Sequence, residues 1–132
     1  MQNIPDSHRD LLTDEKKAYA YLATITPGGA PQLTPVWFNV DGEYILVNTA
    51  KGRVKERNMR GNPNVAILIA DPKDPYYRFL QIRGRVAEIT ETGANEHINT
   101  LSLKYDGTPW TPREGQVRVI YKIKPEKIFA GN

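Results

Sequence analysis

Residues 51–60 read KGRVKERNMR and place Lys51, Arg53, Lys55, Arg57 and Arg60 against a single acid, Glu56. The whole chain carries 18 Lys and Arg against 15 Asp and Glu, a net charge of +3. The decapeptide alone is +4, so the other 122 residues are close to neutral. If the segment is helical, the i, i+4, i+7 spacing puts Lys51, Lys55 and Asn58 on one face, and Arg53, Arg57 and Arg60 on another. Such a helix follows a strand end, and the unpaired N–H groups of its first turn attract phosphate. This pattern describes a localised anion site for a ligand bearing a phosphate and further acidic groups. The alternative is a solvated helix face whose charges only maintain solubility. The confinement of charge to ten residues argues against the extended basic stripe of a nucleic-acid-binding protein. No nucleic-acid partner is expected.

The remaining side chains offer little catalytic chemistry. The chain has no cysteine, which removes disulfides, thiolate metal sites and a cysteine nucleophile together. His8 and His97 are the only histidines and stand far apart, so no metal site is expected. Ser7 and Ser102 lack a nucleophile-elbow context. Asp71 and Asp74 flank prolines and read as turn residues, and no phosphate-binding glycine loop of the Walker or dinucleotide type occurs. An enzyme built on this sequence would use a borrowed cofactor as its reactive group. Trp37 lies between Val36 and Phe38 in a candidate strand, so one of the three faces away from the others. It either packs in the core or offers a flat ring at a barrel mouth. Tyr76 and Tyr77, after a proline loop, either close over a ligand or lie at an edge without a role. His97 falls among polar residues and is expected on an exposed helix face. Lys104, outside the basic segment, is expected to be unimportant for ligand binding.

The elements that must position these residues are mostly strands. The 132 residues suit one domain with one core, spanning 1–132. No apolar run reaches the roughly 20 residues of a membrane span, and no membrane partner is expected. Residues 1–12 are polar without a signal-peptide core, so the expected location is cytoplasmic. Thr13 is placed to cap an opening helix, with Asp14 and Glu15 in its first turn. Strands are expected at residues 21–26, 32–40 and 44–49, with Asp41-Gly42 as a hairpin turn. Gly61 stops the basic helix. VAILIA at 65–70 suggests a strand buried on both sides. A long strand follows at 76–90, with Gly84 as a bulge or bend. A helix at 90–105 begins at Thr90 or Thr92, a loop spans 107–115, and strands at 117–123 and 127–130 close the chain. The fold class is therefore mainly β, an antiparallel barrel of six or seven strands with flanking helices.

The order GGAPQLTPVWF, YILVNT, RVKERNMRGNPNVAILI and IRGRV resembles the pyridoxamine 5′-phosphate oxidase-like split β-barrel superfamily over about residues 15–125. Within it, Arg53-x-Lys55-x-x-Asn58 together with PQLTPVW is most similar to the branch that uses the deazaflavin coenzyme F420. In the flavin mononucleotide (FMN) oxidases a Ser-Arg-Lys triplet precedes the Asn-Pro turn. Here Lys55 keeps that spacing before Asn62-Pro63, while Arg53-Val54 replace the Ser-Arg pair. The resemblance implies that Arg53, Lys55 and Asn58 hold a cofactor phosphate. It also implies that Lys51, Arg57 or Arg60 meets the acidic tail of a deazaflavin. Gln32, Thr34, Pro35, Val36 and Trp37, with Asn48 and Thr49, would run beside the ring system. A homodimer is implied, with cofactor sites at its interface and Tyr76, Tyr77 and Phe79 reaching in from the second subunit. The activity implied is an F420-dependent reductase passing a hydride to an activated double bond of a small organic acceptor. An FMN-dependent oxidase or reductase, or a non-catalytic carrier of an anionic ligand, are its alternatives. The chain ends KPEKIFAGN and lacks the C-terminal arginine motif of the true pyridoxamine oxidases, so pyridoxine metabolism is not implied.

Overall fold

A computed structural model describes residue 1 and residues 3–131. A short 3-10 helix at Asp6–Leu12 leads into β1 (Tyr19–Ile25), β2 (Pro31–Val36), β3 (Phe38–Asp41) and β4 (Tyr44–Ala50). Helix α1 (Val54–Gly61) then precedes β5 (Asn64–Ala70) and β6 (Phe79–Thr90), and α2 (Ala94–Asp106) precedes β7 (Arg118–Gly131). All seven strands join one antiparallel sheet in the order β2-β1-β5-β6-β7-β4-β3. β2 and β3 occupy opposite edges, yet only Trp37 separates them in sequence. The sheet must therefore curl until its edges meet at that residue. The product is mainly β, a split barrel with helices on its outside.

Alternation fills the interior. Ala20 and Leu22 from β1, Ile67 and Ile69 from β5, and Leu80 and Ile82 from β6 meet Ile45, Val47, Val119, Tyr121 and Ile123 in one cluster. Burying these side chains supplies the main drive to fold. β4 is buried along almost its whole length, because α2 covers its outer face through a smaller cluster of Leu46, Ala94 and Ile120. This strand, rather than VAILIA, is the one enclosed on both sides. In β5, Val65, Ile67 and Ile69 are buried, while Ala66 and Leu68 are only half covered.

Several boundaries differ from expectation, each for a local reason. Thr13 closes the opening helix instead of starting one: its N–H and hydroxyl both return to the carbonyl of Asp10. Lys17 at φ 54° then turns the chain straight into β1. The strand expected at 32–40 is two strands, broken at Trp37 by the change of sheet edge. Tyr76 and Tyr77 lie in a turn, and β6 starts at Phe79. Gly93, at φ 77°, precedes α2, whose N-cap has no side-chain hydrogen bond. The two strands expected at the C-terminus are one 14-residue strand, carried past Pro125 by a register shift between Arg83 and Gly84. Proline cannot donate to the ladder, so a bulge there costs little.

Gly84 sits at that bulge, as its place within a long strand suggests. A Cβ built on it would lie 2.6 Å from the carbonyl oxygen of Lys124. Gly84→Ala must push two paired backbones apart, and we expect a destabilisation of about 1–3 kcal/mol by denaturant unfolding.

Candidate anion-binding site

The basic decapeptide is only partly helical. Lys51 and Gly52 form a turn, with Gly52 at φ 94°, and Arg53 is the N-cap residue of α1. Lys51 therefore does not share a helix face with Lys55. The segment's one acid, Glu56, turns inward and is 2% exposed. Its carboxylate accepts from the Gly52 N–H at 2.9 Å and also pairs with Arg60 and the Tyr121 hydroxyl. Burial alone would raise the Glu56 carboxyl, but these three hydrogen bonds outweigh it and hold the group below the usual carboxylate range. Glu56 thus braces the turn and neutralises Arg60, leaving Arg53 and Lys55 without a carboxylate partner among the described residues.

Those two cations line a pocket of about 530 Å³ at the seam where the sheet edges meet. Pro35, Val36 and Trp37 form one wall. Asn48, Ile98 and Arg118 form another, and Trp110 and Arg113 reach in from the loop before β7. Among the described residues no carboxylate lines it. Burial, then the positive charges of Arg53 and Arg118, lowers the Lys55 ammonium below its ordinary value. Burial, then Arg53 and Arg113, brings Arg118 down to about 10. Arg53, Lys55, Arg113 and Arg118 therefore repel one another in a half-dry space, an arrangement that an anion relieves.

The aromatic wall is fixed from behind. Trp37 stacks on Tyr105, with ring centroids 5.4 Å apart and planes 10° from parallel, and Tyr105 stacks on Tyr19 at 5.3 Å. The Tyr105 hydroxyl donates to the carbonyl of Ala18 at 2.6 Å, and Lys104 Nζ donates to that of Phe38 at 2.7 Å. Lys104 is thereby a buried brace of the Trp37 corner. Arg118 lies 5.4 Å from the centre of the Trp110 ring, a cation–π contact.

Arg118 is held by a buried polar chain. Its Nε donates to Asn48 Oδ1 at 2.9 Å, and Asn48 Nδ2 lies 2.9 Å from the carbonyl of Ala94 and 3.1 Å from His97 Nδ1. His97 Nε2 lies 2.8 Å from Asn39 Oδ1. His97 is thus buried, at 8% exposure, and not on an open helix face. It falls at helical spacing with Ala94, Ile98 and Leu101 on the side of α2 that packs on the sheet. Burial, then the charge of Arg118, lowers its pKa to about 4.

Of the residues expected at a site, the pocket gathers Pro35, Val36, Trp37, Asn48, Arg53 and Lys55. Asn58 is buried and donates to Thr24, which in turn donates to Gln32, so both amides serve a chain beneath α1. Among the described residues the buried hydroxyls of Thr34 and Thr49 find no hydrogen-bond partner. Lys51 pairs with Glu91 at 3.3 Å, Arg57 is exposed, and Phe79 packs against Phe129. Arg118, Arg113 and Trp110 were not anticipated. The available signal was Arg118 itself, which with Lys122 is one of two charges within the alternation from Val117 to Ile123. A second, apolar groove of about 590 Å³ runs over β1, β5 and β6 past Ala23, Val65 and Ala66. Among the described residues no cluster suited to a metal ion occurs, and no helix is long and apolar enough to cross a membrane.

A curled seven-stranded split barrel with a cationic, aromatic-walled pocket at its seam defines a recognisable class. The family model for pyridoxamine 5′-phosphate oxidase matches residues 4–130, and the chain belongs to that family. A solved structure described as an F420 reductase is 35% identical, with a TM-score of 0.84, covering 96% of this chain and 98% of that one. A Mycobacterium tuberculosis protein without assigned function is 23% identical (TM-score 0.75, covering 98% and 85%). HupZ of Group A Streptococcus is 22% identical (TM-score 0.68, covering 96% and 93%). These last two share the fold. No curated protein matches the chain significantly.

The neutral state of His97 gives the fold a pH signature. The unfolded histidine protonates below about 6.5 while the folded one stays neutral to about 4, so the unfolded state binds more protons in that window. Stability should be full above pH 6.5 and fall as pH drops toward 4, by at most about 3 kcal/mol. Urea unfolding between pH 6.5 and 4.5 should show this slope, and His97→Asn should flatten it.

Proposed function

We propose that this protein is an F420-dependent reductase that delivers a hydride to an activated double bond of a small organic acceptor. The observation that carries the reading is the gathering of Arg53, Lys55, Arg113 and Arg118 around one pocket walled by Trp37 and Trp110, with no lining carboxylate among the described residues. A phosphate-bearing cofactor with a flat ring system fits this donor set. The 35% identity to an F420 reductase over nearly the full length of both chains supports the deazaflavin over FMN.

Arg53 and Lys55, where α1 begins, would hold the phosphate. The exposed Arg57 would be available to an acidic tail, while Arg60 is already paired with Glu56 and Lys51 with Glu91. The Pro35–Trp37 corner would lie beside the ring, and the Tyr105 and Tyr19 stack keeps that wall rigid. The bound deazaflavin supplies the hydride chemistry, and the protein supplies orientation, charge and exclusion of water.

Titration of the purified protein with F420 and with FMN separates the two cofactors. Tight FMN binding without F420 binding would overturn the proposal, and F420 binding without turnover over a broad acceptor panel would leave a carrier. Lys55→Ala should weaken F420 binding about 10- to 100-fold, the loss of one charge-assisted hydrogen bond. Lys73→Ala, a change to an exposed turn lysine, should leave it unchanged. Lys104 is unsuitable as the control because it braces Phe38.

A homodimer belongs to the same proposal, with the apolar groove over β1, β5 and β6 covered by a second copy. Ala66→Glu places a charge in that groove and should shift the sedimentation of the protein from dimer to monomer. A wild-type monomer at micromolar concentration would remove this part.

A further inference from the structure

We propose that His97 is a positioning residue for the anion pocket, fixing the guanidinium of Arg118 through Asn48. The ligand concerned is that of the function proposed above, but the device is a property of the free protein.

The hydrogen-bond chain has only one self-consistent assignment. Arg118 Nε can only donate, and the Ala94 carbonyl can only accept. Asn48 must therefore present Oδ1 to Arg118 and Nδ2 to Ala94, which leaves its second N–H aimed at His97 Nδ1. Nδ1 must then carry a lone pair, so the proton sits on Nε2 and is donated to Asn39 Oδ1. The chain links β3, α2, β4 and β7 and ends at the pocket wall.

Without this anchor Arg118 has reason to leave. Arg53 and Arg113 repel it, and its stem could carry the guanidinium outward. The Asn48 bond takes Nε, Gln116 accepts from Nη1 at 3.2 Å, and Trp110 lies against the guanidinium. Among the described residues Nη2 has no partner, and the pocket is where an oxyanion would supply one. A neutral histidine suits this duty, because a proton on Nδ1 would face the Asn48 N–H and favour release of the amide.

The two amide substitutions at His97 distinguish positioning from packing. Asparagine sets an oxygen near the place of Nδ1 and retains the Asn48 contact. Glutamine extends its amide toward the place of Nε2, keeping Asn39 and losing Asn48. Nitrogen-15 NMR of the ligand-free protein should show His97 as the Nε2–H tautomer and a slowly exchanging Arg118 Nε–H. That signal should persist in His97→Asn and vanish in His97→Gln. Inorganic phosphate should bind His97→Asn within about twofold of wild type, and His97→Gln and Arg118→Gln about tenfold more weakly. Equal phosphate affinity in the two His97 variants, an Nδ1–H tautomer, or an unprotected Arg118 Nε–H in the wild type would each overturn the proposal. If His97→Gln does not fold, the two wild-type signals decide. Failure of F420 to bind while these signals and the phosphate series hold would refute the cofactor reading and leave the positioning role standing.

Discussion

A one-residue connection between opposite edges of the sheet governs this molecule. β2 and β3 are six places apart in the strand order and are joined through Trp37 alone. A flat sheet cannot satisfy that connection, so the sheet curls, and the curl does two things at once. It encloses one face of each strand as the core, and it opens a seam where backbone pairing stops. Trp37 marks the seam, and the pocket lies beside it because no ladder fills the space there. α2 covers the adjoining outer face of β4 and β7, which gives the pocket a second wall with a buried underside.

That underside determines the electrostatics. Like charges gathered in a half-dry pocket cost stability, and the surrounding polar groups offset the cost in distinct ways. Glu56 turns into the protein and spends its charge on Arg60, Tyr121 and the Gly52 turn, not on Arg53 or Lys55. Asn48 gives Arg118 a neutral acceptor. Neither arrangement cancels the field at the pocket. A carboxylate in the position of Asn48 would make Arg118 more stable and the site less attractive to an anion. Neutral second partners for buried cations are therefore part of what makes this an anion site, at the expense of stability without a ligand.

The strand pattern, the bulge at Gly84 and the short basic helix before Asn62-Pro63 were legible in the sequence, because each rests on short-range chemistry. The seam was not. Val36, Trp37 and Phe38 read as one continuous strand, since a change of sheet edge leaves no mark on alternation. His97 looked solvent-facing because its neighbours Glu96, Asn99 and Thr100 are polar, although Ala94, Ile98 and Leu101 carried the helical spacing that buries it. Arg118 was hidden for a related reason. Its strand alternates cleanly through Val119, Tyr121 and Ile123, so the intervening positions read as solvent-facing. In the fold α2 covers that outer side, and Ile120 and Arg118 are both 8% exposed.

The same residues show why charge counting along the chain locates an anion site only in part. Of the five cations in the basic decapeptide, only Arg53 and Lys55 line the pocket, while Arg60 is spent on Glu56 and Lys51 on Glu91. The other two pocket cations, Arg113 and Arg118, come from an almost neutral remainder, more than 50 residues further on. What unites the four is not sequence density but that, among the described residues, none forms an ion pair, and that is a property of the fold. A cation counts toward binding when its possible carboxylate partners are either turned inward, as Glu56 is, or kept on other faces. Folding therefore selects which charges remain available, and the net charge of a segment is an upper bound on what it can offer a ligand.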